Sequence, residues 1–281
     1  MRYRSYPLTV VAGAELRMTL RRPALWLVLL GLALAIRLAP GAFNVGGWAT
    51  GVEPGTAASW VALLNGVLPI AVGVLLADRL ARDEALHLTE LLDSGGVRPG
   101  PRVLGAFLGT VGGAAVVYLV PVLALSVEAA VRGRDPYEVL TGLGAYAAIV
   151  LPGLALVTAC CLVCPLVMPV ALFRALFVCY WGWGNLLIAG TFASPSASLL
   201  TPLGGIPGRA FFCESRWNGG DLDYPGCPTS VGWTSWSTEY ALLPTVHASV
   251  STAVASIVLL LAIAAMALIA GSLRLARRPA H

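Results

Sequence analysis

The titratable side chains of this sequence are concentrated in residues 77–102, ADRLARDEALHLTELLDSGGVRPGPR, which hold nine of its 32 acidic and basic residues. General acid–base catalysis or metal-assisted hydrolysis would require such side chains in a recognisable pattern. His87, His247 and His281 are scattered, and neither His-Glu-x-x-His nor Gly-x-Ser-x-Gly occurs. We therefore predict no catalytic residues and no metal site.

The absence of lysine argues against a nucleotide-binding site of the Walker A type in this chain. All 18 basic residues are arginine, whereas a Walker A motif needs a lysine to reach the nucleotide phosphates. The chain is therefore not expected to hydrolyse ATP or to bind a cofactor itself. The sequence CCLVC at residues 160–164 contains one Cys-x-x-Cys. Because no histidine or carboxylate lies nearby in sequence, we favour buried apolar cysteines over thiol redox chemistry or metal binding.

The composition of the chain indicates that most of it forms membrane-spanning helices. The chain is 58% hydrophobic and 11% charged, with a mean hydropathy of +0.81, whereas soluble domains are about 25% charged. A helix that crosses a membrane needs roughly 20 apolar residues. Six segments meet this condition and predict one all-α integral membrane domain over residues 1–281. The predicted spans are approximately residues 23–43, 59–77, 103–131, 140–163, 168–189 and 243–273.

The arginines predict the orientation of the spans, because cytoplasmic loops carry an excess of basic residues. With a cytoplasmic N-terminus, thirteen arginines lie inside and four outside, and Arg37 lies near the outer end of the first span, where it can snorkel. Both termini are therefore expected in the cytoplasm. Residues 190–242 become a long outer loop, where oxidation is permitted, and we expect a disulfide between Cys213 and Cys227.

The N-terminal segment predicts an amphipathic helix over residues 7–22 that lies in the inner membrane interface. Its apolar face consists of Leu8, Val11, Ala12, Leu16 and Leu20, and its polar face of Glu15, Arg17, Arg21 and Arg22. The three arginines of this face are expected to contact anionic lipid headgroups. A frayed basic tail is the alternative.

Small residues and prolines predict local features of the spans. Gly105, Gly109 and Gly113 are spaced by four residues, a pattern that lets a second helix approach closely. Prolines inside three spans predict kinks, at Pro69, Pro121 and Pro152.

The charged strip follows the second span without a break, so it predicts a helix that continues into the cytoplasm. Glycines and prolines at residues 95–101 then predict a turn before the third span. The leucines of the strip leave too narrow an apolar face for a helix that lies on the membrane. The segment Glu90 to Ser94 is expected to point away from the lipid. Two interpretations stay open, a solvated loop and a helix that fills a groove of another protein.

Three features together resemble the permease subunits of type-2 ABC transporters. The helix ending in AELRMTLRRP resembles the elbow helix of that family, and residues 78–102 resemble its cytoplasmic coupling segment. The six spans with a long outer loop before the last one resemble its layout. The resemblance covers essentially the whole chain. Where the family commonly has a glycine before a Thr-Leu-Glu-Leu-Leu-type stretch, this chain has His87 and Leu88 before Thr89.

The resemblance implies an exporter of a lipid, glycan, peptide or drug-like substrate in a bacterial plasma membrane. A separate ATPase subunit would bind ATP and Mg²⁺, and a second copy of this permease or a related permease would complete the pathway. Short re-entrant helices in the outer loop would cap the exit. Membrane lipid is expected as a partner and nucleic acid is not. The residues implied in ATPase docking are Glu84, His87, Thr89, Glu90, Leu91, Leu92, Asp93 and Ser94.

Polar and aromatic residues inside the spans are candidates for lining the pathway. They are Asn65, Tyr118, Tyr180, Trp181, Trp183 and Asn185. For each aromatic residue, packing or anchoring in the membrane interface is the alternative. No carboxylate lies at mid-depth, since Glu128 is near the outer end of its span, which argues against a proton-driven carrier. The alternative functions are a non-transporting membrane anchor or sensor of a cytoplasmic partner and, less favoured, an intramembrane enzyme.

Overall fold

The computed structural model describes residues 8–39, 56–77, 79, 99–182, 198–212, 216–218, 221–223 and 249–277. The regular secondary structure of these residues is helical apart from two short antiparallel strands.

Helices α1 (Leu8–Leu20) and α2 (Pro23–Leu38) meet at a bend of 58°. The bend falls where Pro23 begins α2, because proline has no N–H to continue the helix of the preceding turn. A helix over residues 7–22 and a first span from residue 23 were predicted, and α1 and the start of α2 agree with these bounds. The rest of that span, beyond Ala39, lies outside the described residues.

The middle of the chain forms the longest helices. Helix α3 runs over Ala57–Leu76 and α4 over Pro99–Gly133. Helix α5 (Tyr137–Ala145) continues through a π-helical turn (Tyr146–Val150) into α6 (Leu151–Val163) and a 3₁₀ turn (Cys164–Leu166). The remaining elements are α7 (Val170–Trp181), α8 (Gly205–Phe212), β1 (Arg216–Asn218), β2 (Asp221–Asp223) and α9 (Val250–Ala276). Strands β1 and β2 pair antiparallel, with Arg216 opposite Asp223.

Four of these helical stretches are long and apolar enough to cross a membrane. They are Ala57–Leu76, Gly100–Gly133, Tyr137–Leu166 and Val250–Ala276, and the bent pair α1 and α2 would be a fifth if counted as one span. Helix α7 is apolar but has only 12 residues, and residues 183–190, which follow it, lie outside the described part. In its described part the chain is thus almost entirely helical, with four or five of the long apolar helices of a membrane-spanning protein.

Helix α3 lies at the centre of the bundle. Over the most apolar 18 residues of its span 72% are buried, against 28% for α9, and α3 packs against α2, α4, α5, α6 and α7. The start of α3 is capped by its own Thr56, whose hydroxyl accepts from Ser59 N, and by Glu138 of α5, which accepts from Ala57 N at 2.7 Å. A carboxylate at a helix N-terminus satisfies a free N–H and complements the helix dipole. This contact fixes α5 against the start of the central helix.

The three prolines predicted to kink the spans differ in their surroundings. Pro69 and Pro121 lie inside the continuous helices α3 and α4. Pro152 follows the π-helical turn Tyr146–Val150. It is therefore the proline of these three that adjoins an interruption of α-helical hydrogen bonding.

The glycine repeat of α4 packs against α1. A Cβ built on Gly105 would lie 2.8 Å from Val11 Cβ, and one on Gly113 would lie 2.6 Å from Thr19 Cγ2. At Gly109 the obstacle is the backbone of α1, with Leu16 N at 2.9 Å. The predicted close approach of two helices is therefore confirmed, and α1 is the partner.

This packing corrects the predicted faces of the N-terminal helix. Glu15 was placed on the polar face, but its Cβ faces Gly109 in the contact between α1 and α4. Thr19 is fully buried in the same contact. The glycines remove side chains from α4 and so leave room for these two polar residues.

Replacement of Gly109 by alanine is expected to lower the free energy of unfolding by about 1–3 kcal/mol, because the new methyl group meets backbone atoms that cannot rotate away. Gly13, on α1, is the matched control, since nothing lies within 4 Å of a Cβ built there. Gly13→Ala should raise stability by roughly 0.5–1 kcal/mol, because alanine loses less conformational entropy in a helix. Unfolding in detergent micelles measures both, and equal effects would contradict this packing.

Candidate functional site

Most of the predicted docking segment lies outside the described residues. This applies to Glu84, His87, Thr89, Glu90, Leu91, Leu92, Asp93 and Ser94, and likewise to Trp183, Asn185, Cys213 and Cys227. The candidates that the structure describes fall in three places: an arginine-rich end of the bundle, a segment inserted between the helices, and an apolar cavity.

The first charged residue of the strip that the structure describes, Arg79, is attached to α1. Arg79 Nη2 lies 2.7 Å from Glu15 Oε2, and the two side chains are only 13% and 16% exposed. The same nitrogen donates to Thr19 Oγ1 at 3.4 Å. A partly buried ion pair of this kind is held in place more firmly than a surface pair, because water does not compete freely for either charge.

Two further arginines bind the end of α3 next to Arg79. Arg22 Nη1 donates to the carbonyl oxygen of Leu75 at 3.3 Å, and Arg174 Nε of α7 donates to that of Val74 at 3.0 Å. Carbonyls of the last helical turn lack helical partners, and cations there complement the helix dipole. Arg22 was predicted to contact lipid headgroups. It binds protein backbone instead, whereas Arg17 and Arg21 have exposed side chains.

The other end of the strip also adjoins α1. The chain is described again from Pro99, where α4 begins, and α4 packs against α1 through Gly105 and Gly109. Arg102 in the first turns of α4 is only 9% exposed. Both described ends of the strip therefore border one short helix.

The opposite end of the bundle holds a second group of charges. Arg37 was predicted to lie near the outer end of the first span, where it can snorkel, and its Nε donates to both carboxylate oxygens of Glu128, at 3.0 and 2.9 Å. Arg132 Nη2 lies 2.8 Å from the same carboxylate. The Arg37 guanidinium also stands 5.4 Å from the ring centre of Trp60, a cation–π distance. These contacts tie α2 and α4 to the start of α3.

The segment Ser198–Leu203, followed by α8, enters the bundle and is held there by Asn65. The Asn65 Nδ2 group donates to the carbonyl oxygens of Pro202 and Leu203, both at 3.1 Å, and Asn65 is fully buried near the middle of α3. Asn65 was predicted as a pathway-lining residue; its Nδ2 group binds this backbone, while its Oδ1 atom is buried with no hydrogen-bond partner among the described residues. Non-helical backbone inside an apolar bundle requires such partners, because unsatisfied carbonyls are costly there.

Other contacts fix the inserted segment. Ser256 Oγ of α9 donates to the Leu199 carbonyl at 2.8 Å. A Cβ on Gly153 would lie 2.7 Å from the Pro202 oxygen, so glycine is required for α6 to pass this close. Gly204 has φ +70° and lies against Ile149 of the π-helical turn, a conformation that side chains disfavour. Short re-entrant helices were expected in the part of the outer loop that contains this segment, but its contact with Asn65 was not predicted. The sequence TPLGG, together with a lone asparagine in an apolar span, is the signal that could have indicated this contact.

Two aromatic candidates for the pathway are packed inside the bundle. Trp181 is 1% exposed, and its Nε1 donates to the Gly66 carbonyl at 2.7 Å. Tyr118 is fully buried, with its ring 6.5 Å from that of Tyr146, and its hydroxyl has no hydrogen-bond partner among the described residues. Tyr118 therefore serves helix packing, whereas Trp181 also lines a cavity. Tyr180 lines the same cavity but differs from Trp181 in exposure, because it is 43% exposed.

An apolar cavity of about 250 Å³ lies between α6, α7 and the inserted segment. Its lining surface is apolar and rich in sulfur and aromatic rings. The residues that set this character include Cys160, Cys164, Met168, Phe177, Tyr180 and Trp181. Hydropathy patterns do not predict such a cavity, because it arises from the shapes of packed side chains on separate elements.

The cysteines of CCLVC divide between this cavity and the core. Cys161 is buried and its Sγ lies 3.5 Å from the Gly73 carbonyl, whereas Cys160 and Cys164 line the cavity. All described cysteines are free thiols. Among the described residues no group of three or more histidine, cysteine or acidic side chains is placed to hold a metal ion. The arrangement is that of small apolar packing residues.

Comparison with protein-family models, with curated proteins and with solved structures gave no match to this chain.

Proposed function

We propose that this chain is the permease subunit of an ATP-driven ABC exporter and that a separate ATPase subunit docks on residues 78–102. The observation that carries the proposal is the attachment of this strip at its two described ends. Arg79 is held by Glu15 and Thr19 of α1, and α4, which follows the strip, packs against α1 around Gly109. A displacement of the strip would therefore move α1, α3 and α4 together.

Transport would follow from a shift between conformations of the bundle. ATP and Mg²⁺ would bind to two ATPase subunits, and closure of these subunits would displace the strips of two permeases, either identical or related. Nucleotide then acts by binding one conformation of the complex better than the other. Cargo of the lipid, glycan, peptide or drug-like class would leave between the two permeases, and no nucleic acid takes part.

The proposed topology has six spans, an elbow helix in the inner interface and both termini in the cytoplasm of a bacterial cell. The distribution of charge supports this orientation. Arg22, Arg79 and Arg174 meet at one end of α3, which would face the cytoplasm, and the carboxylates of Glu128 and Glu138 lie toward its other end. The inserted segment would then enter from the outer side and close the exit.

The decisive experiment is co-purification of this chain with an ABC-type ATPase subunit, to be sought among the neighbouring genes by its Walker A motif. The double substitution Glu90→Ala/Leu91→Ala is expected to weaken assembly by at least about 30-fold, since the loss of a single central interface residue costs roughly 2 kcal/mol and the losses of two neighbours do not add fully. ATP turnover of the complex in vesicles should fall in parallel. The matched control is Tyr137→Ala/Leu140→Ala, two residues that are 71% and 64% exposed at the opposite end of the bundle.

Three outcomes separate the alternatives. Loss of assembly with the first pair alone supports docking through the strip. Unchanged assembly and turnover would refute it. A complex that assembles through the strip, but whose ATP turnover responds to no substrate class, would indicate a membrane anchor or sensor in place of a transporter.

The proposed outer loop carries a separate prediction. We expect Cys213 and Cys227 to be joined in a disulfide that stabilises the loop by about 3 kcal/mol, as estimated for a closed loop of roughly 15 residues. In intact cells a membrane-impermeant maleimide should leave the parent unlabelled at these positions and should label Cys227 in the Cys213→Ser variant. Labelling of both cysteines in the unreduced parent would contradict the disulfide.

A further inference from the structure

The cavity between α6 and α7 can hold only an apolar occupant. Its lining surface is apolar, and the Trp181 N–H is already donated to the Gly66 carbonyl. Cys160, Cys164 and Met168 add sulfur atoms, which are polarizable and contribute no strong hydrogen bond. Water needs several polar partners in a buried site, so it is a poor occupant of such a space.

The volume of the cavity indicates what size of apolar molecule it can hold. At about 250 Å³ it exceeds the cavity of roughly 150 Å³ that binds benzene in another protein, and it is below the range of about 300–1,000 Å³ typical of drug-sized ligands. It therefore fits a stretch of hydrocarbon chain better than an entire drug-like molecule.

The cavity opens on an apolar surface. Its lining residues Leu176 and Tyr180 are 50% and 43% exposed. The neighbouring exposed side chains of α7 are also uncharged, among them Leu172 and Val178. In a bilayer, a helix with this surface would face the hydrocarbon core, which consists mainly of lipid acyl chains.

We propose that this cavity binds one acyl chain of a membrane lipid, which enters between Leu176 and Tyr180 and ends against Cys160 and Pro202. The chain would fill the space beside the inserted segment, since Pro202 borders the cavity while its carbonyl is held by Asn65. Occupancy would stabilise the contact of α7 with that segment. This inference does not depend on the proposed function, because a resident lipid chain can occupy the site whether or not the protein transports anything.

Photo-crosslinking tests the proposal on the full chain. The protein is placed in vesicles of phosphatidylethanolamine and phosphatidylglycerol that contain a trace of phosphatidylglycerol with a diazirine near the end of one acyl chain. After illumination, crosslinked peptides are mapped by mass spectrometry. We expect crosslinks on residues 156–164 and 173–181 to exceed those on Val258 and Leu261, which are exposed on α9.

Three variants distinguish the cavity from general lipid contact. Cys160→Phe fills the cavity and should reduce crosslinking there about tenfold. A tenfold weaker binding corresponds to roughly two methylene groups of the acyl chain that are no longer buried. Cys160→Ala should keep the parent signal, as should Cys179→Phe, which places the same ring on the exposed side of α7.

A second probe separates the sources of the chain. Free fatty acid with the same diazirine, added to vesicles without photoreactive phospholipid, should give weaker cavity crosslinking, because the proposed occupant is a membrane phospholipid. Stronger labelling by the free acid would overturn that assignment. Crosslinks in the cavity no more frequent than on α9, or unchanged by Cys160→Phe in protein that remains folded, would overturn the site itself. If Cys160→Phe fails to fold, protection of Cys160 from a lipid-soluble alkylating reagent by added phospholipid gives the same test.

Discussion

Replacement of Arg79 by alanine is expected to lower the free energy of unfolding by about 2–4 kcal/mol, somewhat below the cost of breaking a fully buried ion pair. The substitution removes the cation that lies 2.7 Å from the Glu15 carboxylate, where both side chains are mostly buried. It also removes the donor to the hydroxyl of Thr19. Denaturant unfolding in mixed micelles measures the change.

A double-mutant cycle identifies the cause of this loss. Glu15→Gln/Arg79→Gln should be less destabilised than the sum of its single variants, because it removes both charges and leaves neither uncompensated. Arg17→Ala is the control on the same helix and should change stability by less than about 0.5 kcal/mol, since its side chain is exposed. Additive effects of the two glutamine substitutions would show that the pair is not coupled.

Asn65→Leu is expected to destabilise the protein by about 2–6 kcal/mol, because two buried carbonyls lose their donor at roughly 1–3 kcal/mol each. Leucine is close to asparagine in size, so the loss comes from hydrogen bonding and not from a cavity. The inserted segment should then open more often. Thr201, which is 2% exposed, reports this opening when it is replaced by cysteine and labelled with a maleimide.

Ser256→Ala provides the comparison for the asparagine. It removes a single hydrogen bond to the same segment, at the Leu199 carbonyl, and should cost about 1–3 kcal/mol. Labelling of the cysteine at position 201 should rise less than in Asn65→Leu. If Asn65→Leu leaves both stability and labelling unchanged, the asparagine does not hold the segment in place.

The long apolar helices were predictable from the sequence, because hydropathy measures the composition of each segment by itself. The predicted spans 59–77 and 103–131 correspond to α3 and α4 within a few residues at each end. The glycine repeat likewise predicted a close approach, since removal of side chains is visible in sequence. The identity of the partner, α1, was not predictable, because it depends on how distant segments assemble.

Polar residues inside the spans were interpreted less well. Asn65 was a pathway candidate and Arg37 was expected to reach toward water, whereas both bind groups from other elements, the Pro202 backbone and Glu128. A polar side chain in an apolar span requires a partner, but its sequence position does not identify that partner. Arg37 and Glu128, each near the outer end of a predicted span and of opposite charge, were the pair that sequence alone could have matched.

The widened turn at Tyr146–Val150 sets the rotational phase between the two halves of the 30-residue helical stretch Tyr137–Leu166. Hydrogen bonds to the fifth residue accommodate one more amino acid than an α-helical turn does. If the same residues wound here as a regular α-helix, the extra amino acid would not be accommodated, and everything beyond it would rotate by about 100° about the helix axis. Gly153 would then no longer face Pro202, and the thiols of Cys160 and Cys164 would turn away from α7. By accommodating one additional amino acid, the π-helical turn thus determines which side of this helical stretch faces the inserted segment.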